Sequence, residues 1–408
     1  MNLPVNPSIF RKHFPAFAEN DLKGWAFFEN AGGAYMCQQV IDRYNHYFTA
    51  HKLQPYGQYP ASKEAGAEMD DGHDSMARLL NVHVDWIHFG PSTTANTYTL
   101  AHAFGQVLNA GDAIIVTNQD HEANTGAVRR MAAEKGLEVR EWQVNPATGS
   151  LEFSAFENLL DDKVKLITFP HASNIVGEIN PVAEICAAAK KVGAKTIVDG
   201  VAYAPHSMPD LSALGADIYL FSTYKTFGPH QGLMAIDPEL AKALPNQGHF
   251  FNDGILRKRL VPAGPDHAQI AASAGIAAYF DDIAKDLNIA APNNGERNLF
   301  NALRDQETAL LTPLIDYLKS SNKVRLVGTD DLDARVPTIS MICEKPGLEL
   351  ARDLADHKIM AAGGHFYVYR LMEGMDVDPN HGVLRTSFVH YTEEAEIHQL
   401  ISALDQVL

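Results

Sequence analysis

The feature that most constrains this chain is an alternation, through its middle, of short apolar runs with stretches of helical period. Residues 86–90, 113–117, 164–169, 195–199 and 218–222 read as strands, and 137–144 as a further extended segment. Residues 93–108, 122–135 and 183–192 carry helical periodicity between them. Strand, helix and strand at this spacing predict a mostly parallel sheet with helices on both faces. Ligands of such sheets bind beyond the carboxyl ends of the strands. The chemistry is therefore to be sought just after each apolar run.

The character changes near Gly264. Residues 268–281 and 296–320 read as long helices, followed by strands at 324–327, 338–342 and 383–388 and helices at 348–357 and 393–407. This predicts an N-terminal segment over 1–20, a large domain over 21–285 and a smaller α+β domain over 286–408. The N-terminal segment is expected to pack on the small domain or on a partner subunit. It has no apolar run of signal-peptide length. No run approaches the ~20 residues that span a bilayer, so a soluble protein of the reducing cytoplasm is expected.

Composition narrows the partners. The chain has 33 Lys+Arg against 50 Asp+Glu, a net charge of −17. That excess of acid repels phosphate backbones and anionic membranes, so neither is an expected partner. The three cysteines, Cys37, Cys186 and Cys343, are far apart and lack CxxC spacing. A disulfide framework and a cysteine zinc site are excluded on that ground. Asp70, Asp71, His73 and Asp74 tempt a metal reading, but a solvated helix face is the expectation, and no metal site is assigned.

Four segments at strand ends carry chemistry. In Ser222–Thr223–Tyr224–Lys225 a lysine follows an apolar strand. A lysine desolvated there can lose its proton and form a Schiff base; a turn lysine is the ordinary alternative. Asp199 ends the preceding apolar run. It could cap a turn, or supply the acid that a pyridoxal ring nitrogen requires. Ser92, Thr93 and Thr94 stand where a strand passes into a helix, either as a common cap or as a phosphate cradle. His121 follows another strand, as a surface histidine or as a ring that stacks on a flat cofactor and moves protons. Neither GxxxxGK[ST] nor GxGxxG occurs, so a P-loop and a dinucleotide fingerprint do not compete.

Together these segments resemble the class V aminotransferase and cysteine desulfurase superfamily of fold-type I pyridoxal-phosphate enzymes. The anchors are Asp-His-Glu-Ala-Asn at 120–124, His-Ala-Ser-Asn-Ile-Val-Gly at 171–177, Val-Asp-Gly-Val-Ala-Tyr-Ala-Pro-His at 198–206 and Ser-Thr-Tyr-Lys at 222–225. The resemblance runs from Arg11 to Arg385. It implies a large domain built on a mostly parallel seven-stranded sheet, a smaller α+β C-terminal domain, pyridoxal 5'-phosphate as cofactor, and a homodimer. Lys225 would join the cofactor and move the Cα proton, and Asp199 would pair with the ring nitrogen. His121 would stack on the ring. Thr93, Thr94, Ser222 and Tyr224 would hold the phosphate. Asn174 would lie near the ring hydroxyl and the substrate carboxylate, and Arg385 would grip that carboxylate. His365 and Tyr367, with Tyr35, Tyr369 and Arg370, would wall the substrate pocket, or equally pack an interface.

The sequence also departs from the desulfurase pattern. The loop at 361–370, where a desulfurase carries its attacking cysteine, has none. Ala202 stands where desulfurases usually have Gln, Tyr224 where they have His, and Pro265 where they commonly have a phosphate-binding Thr. His267 is a candidate to replace that last contact. A persulfide mechanism needs an exposed thiolate, and none is expected. The reading is thus an enzyme acting on an amino acid or amine, with transamination first. A β-eliminating carbon–sulfur lyase, an epimerase and a cofactor-binding regulatory relative stay open.

Overall fold

The computed structural model describes residues 3–408. Seven strands form the main sheet: β1 (Ile87–Gly90), β2 (Ala113–Thr117), β3 (Glu138–Trp142), β4 (Val164–Pro170), β5 (Lys195–Asp199), β6 (Ile218–Ser222) and β7 (Gly232–Ile236). Their spatial order is β1-β7-β6-β5-β4-β2-β3. Only β7 runs antiparallel to its neighbours. The expected parallel sheet is present, and β7 is the strand that sequence reading left out. Its apolar run follows β6 after a short turn, so it returns as a hairpin rather than through a crossover helix.

Side chains alternate along each strand and so feed two cores. Ile114, Val116, Leu166, Ile197, Ile218 and Leu220 face one side, under helices α3 (Thr93–Gly105) and α4 (Glu122–Lys135). Ile115, Ile167, Val198, Tyr219 and Phe221 face the other, under α5 (His267–Asp286). Burial on both faces explains why these strands read as continuous apolar runs.

Two helices that periodicity did not place, α1 (Gln38–Ala50) and α2 (Pro60–Leu79), pack along α5. The approach is close. A Cβ at Gly72 would lie 2.1 Å from the Ile270 carbonyl oxygen. The acidic stretch on α2 is not one solvated face. His73 is buried against the Phe89 ring, with Nδ1 2.9 Å from the Met69 carbonyl, and Asp71 and Asp70 pair with Arg43 and Arg257.

A four-stranded antiparallel sheet forms the smaller layer: β8 (Val324–Leu326), β9 (Thr338–Cys343), β10 (Ala362–Gly364) and β11 (Val383–Ser387), in the order β10-β11-β9-β8. Helices α6 (Asn298–Ser320) and α7 (Glu394–Val407) cover it. The N-terminal segment binds this layer and the main one at once. Phe10 and Phe14 insert among Phe227, Tyr279, His390 and Tyr391. Arg11 pairs with Glu393 and Glu396 at 2.6 and 2.7 Å. Ala26–Phe27 then pairs in parallel with Ile359–Met360, and Glu29 bridges to Ser387. That path delivers Glu29 to the end of β11. Among the described residues no helix is long and apolar enough to cross a membrane.

Candidate active site

The carboxyl ends of β1, β2, β4, β5 and β6 meet around one cavity of about 310 Å³. Its lining joins Thr93, Thr94, His121, Asn174, Asp199, Ser222, Tyr224 and Lys225. These are eight of the residues singled out from sequence.

One end is built for an anion. Ser92 caps α3, its Oγ accepting from the Ala95 amide at 3.1 Å. Thr93 Oγ1 and Ser222 Oγ lie 2.7 Å apart, and Thr94 is exposed beside them. Amides of the first helical turn and a group of hydroxyls suit a phosphate. Strand β7 closes the back of this cup. A Cβ at Gly232 would sit 2.3 Å from the Ser92 carbonyl carbon, so only glycine fits.

The floor holds the charged pair. Lys225 ends the turn Thr223–Lys225 that leaves β6, a turn fixed by Thr223 Oγ1 donating to the Pro229 carbonyl at 2.6 Å. The lysine is 8% exposed. Burial and then the Arg385 charge lower its pKa to about 8, against the pull of Asp199 and Glu29. Asp199 is buried, and that burial pushes its carboxyl up from the usual range, while the Val201 amide at 2.9 Å and Lys225 oppose the shift. Behind Asp199, His171 stacks on Tyr203 at 3.6 Å and meets the Tyr219 hydroxyl at 2.8 Å. Burial lowers the His171 pKa to about 3, so it is a neutral backing wall.

His121 forms the opposite wall. Its Nδ1 accepts from the Ala123 amide at 3.0 Å. Burial, then Lys225 and Arg385, lower its pKa to about 3. The ring is neutral at pH 7, and since Nδ1 accepts, its proton is on Nε2. A neutral ring is suited to face a flat heteroaromatic. On the side wall, Tyr224 stacks on His230 with centroids 4.6 Å apart.

Arg385, His365 and Tyr367, and with them Tyr35, Tyr369 and Arg370, are not in this lining. Arg385, on β11, is buried; its Nη2 is 2.6 Å from Glu29 Oε1 and its Nη1 donates to the Asn174 carbonyl at 3.3 Å. The Phe366 ring covers its guanidinium at 3.8 Å. Tyr367 is exposed, with its ring 5.2 Å from His121, and His365 packs edge-on to Tyr367 and Tyr369. Asn174 donates through Nδ2 to the Phe366 carbonyl at 3.2 Å, so its amide holds this loop. Tyr35 stacks on Phe27 and Tyr391, which makes it packing rather than pocket wall. Pro265 and His267 line a separate cavity with Tyr56 and His73.

Sequence reading missed Glu29, Asp120, His230 and Phe366. Asp120 is buried in the lining; Oδ2 accepts from Asn124 at 2.9 Å and Oδ1 has no partner. Burial and the Asp199 charge push its carboxyl well above the usual range. Its place beside His121 was the available signal. Glu29 gave no signal, because its partner lies at the far end of the chain.

The donor set fits pyridoxal phosphate. An anion cup, a lysine amine, a buried acid and a neutral ring surround one cavity, and Asp199 has no cationic contact closer than a coulombic one to Lys225. No thiol lines the cavity. Burial raises the thiol pKa of Cys37 and Cys186 to about 12 and of Cys343 to about 11.

Comparison with known proteins agrees. The sequence profile described as aminotransferase class-V matches residues 26–400. The "Aminotransferase-like protein FGM3" of Gibberella zeae is 32% identical over 98% of this chain and 97% of its own length. A cysteine desulfurase of Serratia proteamaculans is 28% identical over 100% and 99% of the two chains. The cysteine desulfurase of Thermococcus onnurineus has the same fold, with a TM-score of 0.84, 22% identity, and coverage of 100% and 98% of the two chains.

Proposed function

The chain belongs to the class-V aminotransferase family, whose enzymes use pyridoxal phosphate, and on that premise we propose that it is an aminotransferase. It moves the amino group of an amino acid or amine to a keto acid. The observation that carries this reading is the lining itself: Lys225 is its one amine, and no thiol stands near it.

Bound pyridoxal phosphate supplies an aldehyde that captures amines and a ring that withdraws electrons from the substrate's Cα. The chain's residues do the rest. Ser92, Thr93, Thr94 and Ser222, with the α3 amides, hold the phosphate. Asp199 keeps the ring nitrogen protonated, because a buried carboxylate is stabilised by a cationic partner. His121 covers the ring and keeps water from that face. Lys225, with its pKa lowered to about 8, would take a proton from the substrate's Cα and hand it back on the same face. One base that both removes and returns the proton is what amino transfer requires. Attack on sulfur would require a thiolate, and the lining offers no thiol.

The test is a screen of amino acids with and without pyruvate or 2-oxoglutarate. Amino transfer that depends on the keto acid supports the reading. Release of ammonia, pyruvate or sulfide without any keto acid contradicts it.

A further inference from the structure

The placing of the substrate carboxylate on Arg385 has a complication visible in the structure. That arginine already has a carboxylate. Glu29 Oε1 is 2.6 Å from Nη2, and the side chains are 29% and 4% exposed. The guanidinium lies outside the lining of the cavity and under the Phe366 ring.

Three details show that this arrangement is built but not saturated. Arg385 Nε is buried and has no partner, so Glu29 holds the fork by one edge nitrogen only. A carboxylate taking Nε and Nη2 together would gain a bond that Glu29 forgoes. The cover is strained: Phe366 and Tyr367 are consecutive non-glycine residues at φ of 47° and 61°. Left-handed backbone is unfavourable for a residue that carries a Cβ. The turn is held in place by Asn174 on the Phe366 carbonyl and by the Glu122 amide on the Tyr367 carbonyl at 2.9 Å. Finally, Glu29 fits because residue 32 is glycine. A Cβ there would lie 2.2 Å from Glu29 Oε2.

We propose that Glu29 is a resident carboxylate that occupies Arg385 until an amino acid's own carboxylate replaces it beneath the Phe366–Tyr367 turn. This rests on the reading of Arg385 as the substrate's anchor. Binding is then an exchange of one carboxylate for another. The incoming group wins by its second hydrogen bond and by reaching the arginine from the cofactor side. An amine without a carboxylate does not trigger the exchange, since it has no differential affinity for the opened state. Glu29 thereby sets both affinity and selectivity for amino acids over simple amines.

Two probes separate the steps in the cofactor-loaded enzyme. 2-Aminoisobutyrate has an amine and a carboxylate but no Cα hydrogen, so it binds without turnover. tert-Butylamine has a methyl in place of the carboxylate and likewise no Cα hydrogen. The change in the cofactor's visible absorption gives both dissociation constants. Glu29→Gln should tighten 2-aminoisobutyrate about tenfold, a usual size for coupling between competing ligands, and leave tert-butylamine unchanged. Gly32→Ala keeps every charge and displaces the Glu29 carboxylate sterically, so it should shift the same constant in the same direction. Unchanged or weaker 2-aminoisobutyrate binding in both variants overturns the exchange. Arg385→Met distinguishes the two levels: if it binds 2-aminoisobutyrate as well as the parent does, the anchor itself is misplaced. If it binds weakly while Glu29→Gln changes nothing, only the exchange fails.

Discussion

At the scale of single residues the account rests on Lys225. Its burial lowers the amine's pKa to about 8. The unprotonated amine is the form that joins an aldehyde. Covalent capture of pyridoxal phosphate by the cofactor-free enzyme should therefore speed up with pH and level off near 8, rather than climbing towards the 10.5 of a free lysine. Stopped-flow absorbance reads this directly; a plateau shifted above pH 10 would show that the amine is not desolvated. Lys225→Ala should lose borohydride fixation of the cofactor altogether, and mass spectrometry of the reduced protein checks it. Retention of a fixed cofactor would assign the lysine elsewhere. Lys225, Asp199 and His121 were legible in the sequence because each follows an apolar run, and a strand end is a fixed place in a parallel sheet. Glu29 was not legible. It reaches Arg385 only because Ala26–Phe27 joins the smaller layer, a contact across 356 residues.

At the scale of elements, the joint between the two layers depends on one buried carboxylate. Glu307, on α6, is fully buried; its Oε2 is 3.0 Å from His206 Nδ1 and 3.6 Å from Arg304, and Oε1 is 3.9 Å from His390 Nδ1. Tyr279 on α5 completes the chain at 2.7 Å from His390 Nε2. Glu307→Ala leaves the buried His206 without its carboxylate partner and removes the charge nearest Arg304 and His390. It should cost about 3–5 kcal/mol, the usual result of removing one partner from a buried charged pair. Urea unfolding measures it, and a loss below 1 kcal/mol would show that the network is not structural. The elements themselves were unevenly legible. Parallel strands buried on both faces announce themselves as apolar runs, so β1 to β6 were readable. Strand β7 follows β6 as a hairpin partner and breaks the alternation that the eye follows. Helix α2 carries Asp70, Asp71, His73 and Asp74 over a buried face, so its polar residues masked its packing.

At the scale of the whole molecule, the net charge of −17 belongs to the surface. Beside the cavity is a local exception, where the buried Arg385 is close enough to Lys225 for its charge to lower the lysine's pKa. One face is not acidic but aromatic. Phe250 is 88% and Phe251 68% exposed, on the segment before α5, with Tyr56 and Ile255 also exposed. Large exposed aromatics of this kind mark protein contacts, and they support the proposal of a homodimer. Light scattering should give twice the 44.7 kDa of one chain, and Phe250→Glu with Phe251→Glu should shift the population towards monomer. A wild-type monomer with full activity would remove this part of the account. The central claim is amino transfer by Lys225, and its most direct measurement is the stoichiometry of keto acid release. With an amino donor and no acceptor, the account predicts one keto acid per active site and then arrest, with turnover resuming when pyruvate or 2-oxoglutarate is added. Continuous release of product and ammonia in the absence of any acceptor would contradict it.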